Sequence, residues 1–184
     1  YRGGALATLG HVSGASGPIA FDSGGGLLYG VEAYHHDGPW QNPDDYQRFN
    51  GVTTYSRGDA SEGYSVTARA YHGKWDSSDQ VAASAVESGL VPFYGSLDDT
   101  TGGDSQRYSL QAEWHRSNAE SSTKVMAYGF YYDLDLFSNF TYFKDSIARG
   151  DLLGDQFEQK DGRWFVGAGI SRDWRFDALG HEQR

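Results

Sequence analysis

The chain has no cysteine, so disulfides and thiolate-held metal centres are excluded. It has no apolar run near the roughly 18 residues of a spanning helix. A helical membrane protein is therefore excluded, but a barrel is not, because alternating strands carry no continuous hydropathy signal. It has no excess of positive charge: the net charge is -10, which disfavours nucleic acid and anionic surfaces as partners. The N-terminus lacks the basic segment and apolar stretch of a secretory leader, and both ends read as internal to a longer protein. Only one Met is present. In place of these features the 184 residues carry 25 Gly and 15% aromatics at a mean hydropathy of -0.62. That balance points to many short strands separated by turns.

The stretch from Asp104 to His115 shows the pattern most plainly. Tyr108, Leu110, Ala112 and Trp114 share one parity, while Arg107, Ser109, Gln111, Glu113 and His115 share the other. Alternate residues of a strand face opposite ways, so this strand has one apolar and one polar face. The apolar face begins and ends in an aromatic, as strands do where they enter and leave a bilayer.

The rest of the chain repeats the pattern. A weak strand is expected over Tyr1 to Val12, and stronger ones over Leu27 to His36, Tyr46 to Arg57, Tyr64 to Tyr71, Thr123 to Leu136 and Gln159 to Arg175, with an eighth opening near Asp177. The connections from the third strand onward go short, long, short, long, short. In an up-and-down meander this gathers the long loops at one end, the asymmetry of outer-membrane barrels. The first long connection, Trp75 to Gly103, holds a helical stretch from Ser78 to Gly89, with a polar N-cap and a C-terminal Gly.

The inward face is expected to carry Glu32, Arg48, Arg69, Arg107, Glu113, Asp133, Asp135 and Arg163. So many charges of both signs require a wet lumen or a polar occupant, since an unpaired charge in a packed interior is very costly. The expected fold is all-β: an antiparallel up-and-down transmembrane segment of about 7–8 strands belonging to a larger barrel.

The stretches 38–46, 70–75, 102–110, 136–143 and 154–159, beginning Gly38-Pro39-Trp40-Gln41-Asn42-Pro43-Asp44 and ending Gly154-Asp155-Gln156-Phe157-Glu158-Gln159, resemble the barrel region of TonB-dependent outer-membrane receptors. The resemblance spans about Leu27 to Trp174. It implies a barrel of about 22 strands in the bacterial outer membrane, a plug domain of the same parent chain, and a TonB complex contacted through the parent's N-terminus. Its cargo would be a small-molecule ligand such as a ferric siderophore or other metal chelate. Residues 1–184 would then be part of the barrel wall without plug or TonB box, touching outer-membrane lipid and having no enzymatic role. A self-contained small barrel and a secreted carbohydrate-binding β-sandwich are the competing architectures.

Among sites for chemistry, the aromatics Trp75, Phe137, Phe140, Tyr142 and Phe143 at strand ends and in long loops are the candidate ligand contacts. His35-His36-Asp37, with His72 and Asp76, offers no His-x-His spacing, so no metal site is expected. Asp98-Asp99 with Asp104 lacks an EF-hand pattern. Asp133 and Asp135 share a parity but are expected to be charge-paired rather than hydrolytic. No catalytic residue and no cofactor is expected.

Overall fold

A computed structural model describes residues 19–21, 25–78, 80–150, 154–178 and 181–183. Its body is one antiparallel sheet of consecutive strands. After the short β1 (Ile19–Phe21) come β2 (Gly25–His36), β3 (Tyr46–Gly58), β4 (Glu62–Asp76), β5 (Gly102–Ser117), β6 (Ser121–Ser138) and β7 (Phe157–Trp174). Each pairs with the next in unbroken register from end to end. The expected strand over Tyr1 to Val12 lies outside the described residues. The expected eighth strand corrects to a separate hairpin, β8 (Phe176–Ala178) with β9 (His181–Gln183), which does not extend the sheet.

Both tight turns use one device. At residues 59–61, Asp59 Oδ1 accepts the Ser61 N–H at 2.7 Å and the Glu62 N–H at 3.2 Å. At 118–120, Asn118 Oδ1 accepts the Glu120 N–H at 2.9 Å and the Ser121 N–H at 2.7 Å. In each case the Asx side chain satisfies amides that the ladder has released, which is why Asp and Asn suit these positions. The Ser61 hydroxyl and these amides hold the Asp59 carboxyl below the usual carboxylate range.

The described residues of the connections 37–45, 77–101 and 139–156 all lie at the opposite end. Two short helices sit there, α1 (Ala83–Glu87) and α2 (Lys144–Arg149). The helix expected from Ser78 is thus shorter: Ala82 precedes it in extended conformation without a side-chain cap, and Gly89 ends it at φ +74°. The second helix was not foreseen. Its first turn is held by Asp155, whose carboxylate accepts the Asp145 N–H at 2.8 Å and the Ser146 N–H at 2.7 Å.

No second layer covers the sheet among the described residues, and Val91, in a loop, is the one buried hydrophobic side chain there. On β7 Trp164, Val166 and Ile170 are 74%, 83% and 76% exposed. No helix among the described residues is long and apolar enough to cross a membrane, which says nothing about strands.

Candidate functional site

The register resolves the two faces. Tyr64, Val66, Ala68 and Ala70 of β4 stand beside Trp114, Ala112, Leu110 and Tyr108 of β5. Val125, Ala127, Gly129 and Tyr131 of β6 continue those rows, and Ile170, Ala168, Val166 and Trp164 of β7 complete them. An apolar band therefore runs across the sheet, edged by Tyr64 and Trp114 on the tight-turn side and by Tyr108, Tyr131 and Trp164 on the loop side.

Six of the eight expected inward charges share the other face: Glu32, Arg48, Arg69, Arg107, Glu113 and Arg163. Asp133 and Asp135 do not. They pair in register with Gln106 and Asp104, on the same face as the apolar band, at its loop end. There Asp133 accepts the Tyr131 hydroxyl at 2.9 Å and Asp135 accepts Lys160 Nζ at 2.8 Å. The even residues of β6, from Met126 to Leu136, read as the apolar face, but the register with β5 turns them to the charged side and sets Val125, Ala127, Asp133 and Asp135 on the other.

On the charged face Glu32 accepts Arg48 Nε at 2.6 Å and Asn50 Nδ2 at 3.0 Å. Arg163 is held by Asp161, and Glu113 pairs with Lys124 at 3.0 Å. Arg107 lies over the Phe130 ring, 4.5 Å from its centroid. Neither Arg69 nor Arg107 has a carboxylate partner among the described residues. Both line an open cavity of about 660 Å³ with Glu32, Asn50, Val52 and Tyr71. Because Arg48 neutralises Glu32, this cavity offers two guanidinium groups suited to a carboxylate or phosphate.

The three long connections dock on one another at the loop end. Gln41 N–H donates to Tyr94 O at 2.9 Å, Asn42 donates to Asp99, and the Tyr142 hydroxyl donates to Gln80 O at 2.7 Å. Asp98 is the hub. Its carboxylate accepts Asn139 Nδ2 at 2.7 Å, Thr100 N–H at 3.0 Å and Gln156 Nε2 at 3.4 Å. Burial works against its ionisation, yet the donors from Thr100, Asn139 and Gln156 hold the carboxyl below its ordinary range. The carboxylates of Asp98 and Asp99 thus both accept donors from other loops, and Asp104 pairs with His72 at 2.9 Å.

The five candidate aromatics do not form one cluster. Phe137 continues the face of Asp135, Phe140 packs on Phe157, Tyr142 ties two loops together, and Phe143 is 51% exposed. Phe140 also lines a cavity of about 320 Å³ with Asp145 and Arg149, and Trp75 lines one of about 530 Å³ under the β2–β3 connection, beside Trp40, Asp44, Tyr46 and Tyr71. The sequence reading missed those four. The turn-rich segment 37–45 read as a connection only, although Trp40 within it was the signal. Also unforeseen is the approach of His35, Asp37 and Asp45, whose ligand atoms lie within 4.8 Å of one another. The two ring nitrogens of His35 already face different carboxylates, Asp37 at 3.1 Å and Asp45 at 3.7 Å.

The chain matches no protein-family model, no curated protein and no solved structure. Its functional reading therefore rests on the sheet itself. The sheet presents an apolar face with aromatic edges, a charged face lining a cavity, and a cap of interlocked loops at one end.

Proposed function

We propose that this chain is a section of the wall of a bacterial outer-membrane barrel of the TonB-dependent receptor kind, which binds and imports a scarce ligand such as a metal chelate. The observation that carries the reading is the apolar band with its aromatic edges on a sheet that has no second layer. Between its edge rows, from Trp164 to Ile170 on β7, the strand rises about 20 Å. Inclined at ~40° to the membrane normal, that is about 15 Å of the roughly 25 Å apolar height of such barrels, and beyond it Arg172 stands on the same face with its guanidinium over the Trp174 ring. Water would penalise this face, whereas lipid would cover it.

Two further features support the reading. All long connections share one end, as extracellular loops do. The backbone of β7 is unpaired along its outer edge among the described residues, a liability that a continuing wall removes. On this reading the charged face looks into the lumen, where Arg69 and Arg107 meet acidic groups of the plug, and the loop cap faces the medium.

Fractionating the membranes of the source cell tests the proposal. An outer-membrane polypeptide several-fold larger than 20.3 kDa that contains these residues supports it. A soluble 20.3 kDa species refutes it and leaves the β-sandwich. A detergent-dependent species of that mass refutes the receptor and leaves the small barrel.

A further inference from the structure

The pocket under the β2–β3 connection has a composition unlike the rest of the molecule. Its walls are the rings of Trp40, Tyr46, Tyr71 and Trp75, its charges are Asp44 and Asp76, and His36 is at its edge. No Lys or Arg is among the described residues that line it.

The rings are seated by the backbone beneath them. Trp75 lies against Gly103, where a Cβ would come within 2.7 Å of the indole. Trp40 folds over Gly38, where φ is +66° and a Cβ would come within 2.7 Å of the indole and of the Asp44 carboxylate, so both favour glycine. Trp40 in turn donates its Nε1–H to Asp44 at 2.9 Å, fixing ring and carboxylate together. Burial, with Asp76 and Asp37 as like charges nearby, pushes the Asp44 carboxyl above its ordinary value despite the Trp40 hydrogen bond and His36. A positive charge beside it would relieve that cost.

The aromatic wall already attracts a cation from outside the pocket. The Arg48 guanidinium lies 5.2 Å from the Tyr34 centroid and 6.0 Å from that of Tyr46, but Glu32 takes up its charge. Electron-rich rings with a carboxylate between them are the means by which proteins select ammonium and guanidinium groups.

We infer that this pocket binds an organic cation, with the charged group held between Trp40, Tyr46 and Trp75 and countered by Asp44 and Asp76. The inference rests on the receptor reading, in which this end meets the ligand, and deepens it. Among the ligands such a receptor captures, it selects those bearing a cationic group.

Calorimetry on the intact protein, purified in detergent from the cells that make it, tests the inference with two probes of equal shape. They are choline and its uncharged carbon isostere, 3,3-dimethylbutan-1-ol. Choline is expected to bind at least about tenfold more tightly than the isostere. Asp44→Asn with Asp76→Asn should reduce that preference severalfold, and Trp75→Ala should weaken choline about tenfold. Equal binding of the two probes, or binding of neither, overturns the inference, and so does a preference that the double substitution leaves undiminished. The wild-type comparison needs no variant to fold. The outcome is separable from membrane fractionation: a soluble protein that prefers choline refutes the receptor and keeps the pocket.

Discussion

Leu110→Arg tests whether the banded face meets lipid. Leu110 lies on β5 between the aromatic edges Tyr108 and Trp114, and is 57% exposed on the bare sheet. Its register neighbours are Ala68 and Gly129, so an arginine there finds no carboxylate beside it. Near the middle of a bilayer such a charge costs about 2–4 kcal/mol, falling toward zero at the interfaces. A value of about 3 kcal/mol shifts the folding equilibrium roughly a hundredfold. Gln111→Arg, one residue along, points the same charge to the opposite face between Thr67 and Tyr128. If that face is wet, the cost stays within about 0.5 kcal/mol. The two variants share strand, depth and charge and differ only in face. Urea titration of the intact protein folded in phospholipid vesicles reads both values. Equal costs, or a neutral Leu110→Arg, would refute the lipid-facing assignment.

Replacing Arg69 and Arg107 together by Ala should leave membrane insertion unchanged and alter ligand uptake or plug contact in the protein that carries this wall; unchanged uptake in transport assays counts against a plug-facing role. Asp98→Ala removes the shared acceptor of Asn139, Thr100 and Gln156 and should loosen the loop cap by about 2 kcal/mol, seen as faster proteolysis within 77–101 and 139–156 while the strands stay protected. The Asp59 carboxyl is depressed in the folded turn, so its contribution is present above the unfolded aspartate value of about 3.9 and is lost as pH falls through the lower folded value. Asp59→Asn should therefore flatten the acid limb of a stability-against-pH curve below about pH 4, and an unchanged limb would contradict the hydrogen-bonded turn.

Strand parity was legible because a period of two survives any tertiary arrangement that keeps the strand. On β2, β3, β4, β5 and β7 the residues expected on the inward face share one face of the sheet, and on β6 Asp133 and Asp135 lie on the other. The tight turns were legible for the same local reason, since an Asx side chain closes its own turn. Asp133 and Asp135 are the exception because both faces of β6 are apolar over much of their length, Val125 and Ala127 on one and Met126, Tyr128 and Phe130 on the other, so alternation does not tell which joins the apolar band; the register with β5 does. The helix near Ala83 came out short because its first expected turn has no capping side chain. The second helix depends on Asp155, a residue beyond its own end, which a local pattern does not reveal.

By itself, then, the sequence determined the six long strands, the faces of all but β6, their order as a meander and the gathering of long connections at one end. Each of these follows from periodicity or turn chemistry within a few residues. Only the tertiary structure decided which loops meet. Asp98 joins two connections far apart in the chain, and Trp40 comes to share a pocket with Trp75 because β3 returns beside β4 in a fixed register. Such encounters depend on where distant strand ends are carried, and no local spacing in the chain records that distance.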